Sequence, residues 1–150
     1  MNKVAGLQFT GERIVPEAVN CEPNFALKMY QEHVARYLLA AQFCDGKSVI
    51  DVGCGVGYGA QLLAQRGAKS VVAFDLSEDA IAHARANYSH ERVTYFADSV
   101  HDVQFSEQVD LITCFELIEH VEHQDRVVRR LARALKPDGL LVISTPRALA

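Results

Sequence analysis

The feature that most constrains this chain is the run Val49-Ile50-Asp51-Val52-Gly53-Cys54-Gly55-Val56-Gly57-Tyr58-Gly59. A short apolar segment feeds into alternating glycines and then into a segment with helical spacing. The pattern predicts a buried strand, a tight loop and a helix start, because glycine tolerates the backbone of a sharp turn and lets a ligand lie against bare main chain. It also limits the ligand. A dinucleotide fingerprint puts its third glycine three residues after the second, and here Tyr58 holds that position after Gly55. The loop is G-x-G-x-G, with Asp51 two residues ahead of Gly53. A carboxylate at the loop entrance repels a pyrophosphate and suits a cationic amino-acid ligand.

From Lys47 onward, short apolar runs alternate with longer periodic ones, the pattern of a parallel sheet flanked by helices. Candidate strands are residues 48–51, 70–74, 93–96, 109–114 and 140–144. Between them, helices are expected at Tyr58 to Arg66, closed by Gly67, and at Ser77 to Tyr88, with Ser77 as cap and Glu78 and Asp79 in the positive first turn. A last helix over Val121 to Leu135 carries Val128, Leu131 and Leu135 on one face and is broken by Lys136-Pro137-Asp138-Gly139. Right-handed crossovers make this an α/β fold, a doubly wound, Rossmann-like and mostly parallel sheet, with its site at the carboxyl ends of the strands.

The expected core is residues 46–150. Residues 1–45 form an N-terminal loop and helix that cover the site. Met1 to Glu22 is loop-like, and Leu27, Tyr30, Val34, Leu38 and Ala41 then recur at helical spacing after an Asn24 cap.

Composition excludes several classes. Among 150 residues, 49% are hydrophobic and 23% charged, which fits one globular domain and neither a disordered nor a membrane chain. Apolar runs fall short of a bilayer span and the first residues lack a signal peptide's apolar region, so a soluble cytoplasmic protein is expected. Cys21, Cys44, Cys54 and Cys114 are scattered without metal or disulfide spacing, as in a reducing compartment. A net charge of −4 argues against a nucleic-acid partner.

At Asp51, Gly53, Gly55 and Gly57 the sequence resembles, position for position, the class I S-adenosylmethionine-dependent methyltransferases. The likeness runs from about Lys47 to Pro146. Asp75, with Leu76 after it, ends the second strand, where a carboxylate can accept both ribose hydroxyls in either cofactor class. Asp98 with Ser99 is similar to the family's acid after strand three, which accepts from the adenine amino group. Phe115 closes a segment resembling strand four, and Leu135 to Leu141 resembles the turn into strand five. The resemblance implies S-adenosyl-L-methionine as cofactor and a small, hydroxylated acceptor.

Chemistry beyond cofactor binding centres on Glu116-Leu117-Ile118-Glu119-His120. On a helical turn this E-x-x-E-H would set Glu116 against Glu119 and His120. A similar segment occurs in metal-using O-methyltransferases of ubiquinone synthesis and of small-RNA ends, so Glu116, Glu119 and His120 are candidate divalent-metal ligands. His120 alone could serve as a general base. In the plainest alternative Glu116 sits near the cofactor and the rest caps the following helix, with His123 solvated. Arg126, Arg129, Arg130, Arg133 and Lys136 form a basic run whose charges complement the helix dipole, with a nucleic-acid face as the rival.

Residues 9–17, with His33, Arg36 and Tyr37, resemble the leader of bacterial methyltransferases found with glycan enzymes. Arg13, His33 or Tyr37 would there contact the cofactor carboxylate or the acceptor, whereas a plain packing helix accounts equally for His33 and Tyr37. The rivals to a methyltransferase are a non-catalytic cofactor-binding module and an NAD-linked oxidoreductase, which rests on Asp75 alone. Family members continue past strand five with two more strands. A chain stopping at Ala150 is therefore expected to be shortened, or completed at its strand-five edge by a second copy or a partner chain.

Overall fold

The computed structural model describes residues 14–17 and 25–146. Expectations at Asn24, Cys21, Arg13 and residues 9–12 of the leader lie outside these residues. In chain order the elements are α1 (Phe25–Ala41), β1 (Ser48–Val52), α2 (Tyr58–Gln65), β2 (Ser70–Asp75), α3 (Glu78–Asn87), β3 (Val93–Ala97), β4 (Val109–Phe115), α4 (Gln124–Ala134) and β5 (Leu135–Ser144). The strands form one sheet in the order β3-β2-β1-β4-β5, and each pair is parallel. This is the doubly wound α/β fold the alternation predicts.

Both faces are covered, as a parallel sheet requires. In β1, Val49 enters an apolar cluster with Leu63, Ile81 and Tyr37, while Ile50 and Val52 join Leu131, Val127 and Phe74 on the other side. Helices α1, α2 and α3 thus pack on one face, and α4 with the β3–β4 connection on the other. The side chains of successive β1 residues alternate between these layers, so the strand carries no polar residue except Asp51 between its Ser48 start and the loop.

The helix α3 is capped as expected, with the Ser77 side chain accepting from the Ala80 amide at 3.2 Å. Three features differ from the sequence expectation. In α1 the buried positions are Ala26, Tyr37 and Ala40, while Leu27, Leu38 and Leu39 are exposed. Small Ala40 and a ring whose hydroxyl finds a polar partner pack closely on α2, which outweighs the larger leucines. The helix expected from Val121 begins only at Gln124, because residues 118–120 form a single 3-10 turn and His123 takes a left-handed backbone with φ 51°.

Strand β5 begins at Leu135 rather than Leu140. Leu135 pairs with Val109 and Leu140 with Leu111, so Lys136-Pro137-Asp138-Gly139 bulges from the ladder instead of preceding it. Lys136 Nζ holds Asp110 Oδ1 at 2.8 Å, and the amide and hydroxyl of Ser48 donate to the other oxygen, which ties the bulge to the sheet. These donors, led by Lys136, hold the Asp110 carboxyl well below its usual range.

Candidate functional site

At the carboxyl ends of the strands the glycine loop turns back on itself, with Gly53, Gly55 and Gly57 all at positive φ. Its amides are spent inside the protein. Gly53 and Cys54 both donate to the Phe74 carbonyl, Gly57 donates to Cys54, and Gly55 donates to Asp75 Oδ2 at 3.0 Å. Those four N–H groups are not turned toward a pyrophosphate, the arrangement a dinucleotide loop uses. A Cβ on Gly55 would meet no atom within 4 Å, which leaves open space above the loop for a ligand. Gly57 serves a different purpose: a Cβ there would approach Ala84 Cβ to 2.6 Å, so it permits packing of α2 on α3.

Asp51 lies beneath this loop and is fully buried. Thr113 Oγ1 donates to Oδ1 at 2.7 Å, and the Tyr37 hydroxyl lies 3.2 and 3.1 Å from the two oxygens. Burial raises the carboxyl to about 6, against the lowering effect of the Thr113 and Tyr37 hydrogen bonds. The carboxylate therefore acts on the cavity above it through its field, while Tyr37 and the loop form the actual wall.

Two cavities meet at Gly53, Asp75 and Leu117. One, of about 330 Å³, is lined by the loop together with Ile14, His33, Tyr37, Tyr58 and Phe115. Phe115 and Tyr58 stand edge-on to the Tyr37 ring at 5.0 and 5.9 Å. The other, of about 310 Å³, is lined by Asp75, Leu76, Asp98, Ser99 and His120 among others. Asp75 is aimed by the amides of Gly55 and Ser77, and Asp98 by the Ser99 amide at 2.7 Å. Leu76 is 77% exposed, an apolar side chain on a cavity wall where a flat base would cover it. An acid at the junction, a second acid and an apolar side chain beyond it, and an aromatic, acid-backed chamber on the other side could hold a hydroxylated sugar, a flat base and a cationic group in turn.

The E-x-x-E-H residues divide between these cavities instead of gathering. Glu116 has a left-handed backbone at φ 51°, accepts from Ser144 Oγ at 2.8 Å and faces Arg36 at 3.5 Å. It lines the loop-side chamber, whereas His120 lines the other cavity, 3.6 Å from Glu119. The helical turn that would align the three is absent, and Leu117 stands between them. Among the described residues no three His, Cys, Asp or Glu side chains are placed to hold one metal ion. The expected ligand set of Glu116, Glu119 and His120 therefore does not fit a metal in this arrangement.

Asp75, Leu76, Asp98, Ser99, Phe115, Gly53 and Gly55 thus line the cavities, while Asp51 and Gly57 support them. The least legible contributor in the sequence is Leu117, which nothing local signalled. Arg36 stands beside His33 and Tyr37 in the segment that resembles a leader, but its approach to Glu116 has no sequence sign. His33 sits in the loop-side chamber, where burial first and Arg36 second lower its pKa, with Glu116 and Glu32 opposing. The three described cysteines are buried and unpaired with one another. No described helix is long and apolar enough to cross a membrane.

The methyltransferase domain family matches residues 26–150. A Mycobacterium tuberculosis protein named "Probable S-adenosylmethionine-dependent methyltransferase" is 36% identical over 146 residues, 97% of this chain and 50% of that one. A ubiquinone biosynthesis O-methyltransferase of Neisseria meningitidis is 38% identical over 110 residues, 70% of this chain and 46% of its own. The crystal structure of an S-adenosylmethionine-dependent methyltransferase from Mesorhizobium loti superposes with a TM-score of 0.67 at 29% identity, covering 73% of this chain and 53% of the other. The chain spans about half the length of the curated relatives it matches. A family model over residues 26–150 and a relative 36% identical over 97% of the chain show that the chain belongs to the class I S-adenosylmethionine-dependent methyltransferases.

Proposed function

We propose that this chain binds S-adenosyl-L-methionine across the two joined cavities and transfers its methyl group to the hydroxyl of a small acceptor by direct displacement. The observation that carries this is the position of Asp75 between a cavity of about 310 Å³ that Asp98 also lines and an aromatic chamber backed by Asp51. The cofactor, when bound, supplies a methyl on a positively charged sulfur. The protein's part is then to hold the reactants in line and exclude water. Tyr37, Tyr58 and Phe115 wall the chamber, and Arg36 with Glu116 sets opposite charges at its rim, suited to the two ends of an amino acid.

A hydroxyl acceptor must also lose a proton. His120 lies on the Asp98 side, so His33 is the imidazole that faces the loop-side chamber where this proton would be released. The preference for oxygen draws on the similarity to a ubiquinone biosynthesis O-methyltransferase over part of the chain. Residues 1–45 are proposed as the cover of the site, and a reducing, cytoplasmic setting accords with the buried thiols.

Calorimetric titration with S-adenosyl-L-methionine is expected to show one site per chain, with NAD giving no heat. Tighter binding of NAD would overturn the proposal. A second role, a cofactor-binding module that needs a partner for turnover, is favoured by the outer edge of β5, which pairs with no described strand. That edge is where a second copy or partner chain would add strands. Cofactor binding without transfer of labelled methyl to anything in a cell extract would select this role.

A further inference from the structure

On the sheet face away from α2, α4 and the β3–β4 connection enclose a cleft of about 700 Å³. Arg126, Arg130 and Arg133 recur at i, i+4 and i+7, so one face of α4 lines it with guanidiniums over about 10 Å. Arg129 also reaches the cleft but is tied to Asp125 at 3.4 Å. Arg126 and Arg133 form no ion pair among the described residues. Arg130 donates one N–H to the Val103 carbonyl, and its Nε is buried with no hydrogen-bond partner among the described residues. Glu107 is the carboxylate among the residues lining the cleft.

The Arg130 Nε has no exposed surface to offer a ligand, so what the cleft offers is charge: three arginines on one helix face, two of them without an ion pair among the described residues. Like charges four apart on a helix also oppose each other, in a chain whose net charge is −4. A bound anion relieves that repulsion. The planar guanidinium donates two parallel bonds to phosphate oxygens, and the cleft is of the size that takes a small molecule. The concave shape and the negative overall charge favour a compact ligand over an extended nucleic-acid backbone.

We infer that the α4 cleft is a binding site for a small ligand carrying linked phosphate groups, separate from the cofactor chamber. Through Val100 and His101 it adjoins the cavity of about 310 Å³, without sharing Asp75 or Asp98.

The test is calorimetry with inorganic pyrophosphate at low salt, on the wild type, on Arg126→Ala/Arg133→Ala, and on Lys28→Ala as a charge control on exposed α1. Thermal unfolding of each variant checks its fold. Binding by the wild type and Lys28→Ala, with affinity weakened about tenfold or more in the double variant, is the expected result. No binding at millimolar pyrophosphate, or equal weakening in Lys28→Ala, overturns the site. Tighter binding of a short single-stranded RNA than of pyrophosphate, lost in the double variant, would overturn the small-ligand assignment in favour of a nucleic-acid face.

Discussion

Asp51 places a carboxyl under the glycine loop with no solvent contact, and its titration reports on what sits above it. The unfolded group loses its proton near 3.8 and the folded one near about 6. Between those values the folded state holds the extra proton, so this group's contribution makes the fold less stable as pH rises from about 4 through 6. A cation in the chamber favours the charged form and reverses the preference. Cofactor affinity is therefore expected to rise as pH increases from 5 to 7, with protons released on binding. Asp51→Asn should flatten that rise and weaken binding by roughly tenfold, an effect on the order of 1.4 kcal/mol. Calorimetry in two buffers of different ionisation enthalpy measures both, and an unchanged pH slope in the variant would disprove the assignment. A neighbouring prediction concerns Gly59, whose Cβ would run into the Tyr37 ring. Gly59→Ala should lower the melting temperature, with a cost of about 1–3 kcal/mol, and weaken cofactor binding by moving Tyr37 off Asp51. Asp51, Asp75 and Asp98 were legible in the sequence because each lies in or just after an apolar run at a strand end. Tyr37 as the lid on Asp51 was not, since a hydroxyl on a helix gives no sign of a partner 14 residues away in another layer.

At the scale of elements, the segment after β4 shows how one backbone angle decides a site. E-x-x-E-H reads as a ligand set only if an α-helix runs through it. With Glu116 left-handed and a 3-10 turn confined to Ile118–His120, its carboxylate turns to Ser144 and Arg36, on the opposite side of Leu117 from His120. Spacing alone could not show this, because φ > 0 at a glutamate has no sequence signature. Addition of manganese is expected to leave the melting temperature unchanged in wild type and in Glu119→Ala. A manganese-dependent rise in the wild type that the variant loses would mean the two halves of the segment come together. The buried face of α1 departs from its periodicity for a related reason: spacing locates an apolar stripe, but close packing on α2 selects Ala26, Tyr37 and Ala40 over the bulkier leucines. His33 lines the chamber from the same helix. His33→Gln should leave cofactor affinity within about twofold and remove the alkaline-rising limb of methyl transfer. Equal loss at every pH would make it a packing residue instead.

The sheet as a whole keeps its most buried strands, β1 and β4, in its interior and leaves β3 and β5 at the margins. The pairing of β1 with β4 was legible because both are continuous apolar runs, the mark of strands buried on two faces. The bulged start of β5 was not, because Pro137 and Gly139 signal a break whether the break lies before a strand or inside one. Strand β5 pairs on one side with β4, and its other side meets no described strand, while Leu140 and Ile143 are about two-fifths exposed. An edge of this kind presents unpaired backbone groups to any strand that reaches it. Hydrogen exchange should therefore split β5: amides pointing toward β4 protected, those pointing outward exchanging at nearly the rate of an open chain, and the amides of β1 slowest of all. Raising the protein concentration should slow the outward set if a second copy pairs there, with Ile143→Lys abolishing the change. Outward amides protected equally at every concentration would show that the edge is already covered within one chain, and the strand-adding partner would then have no place on this sheet.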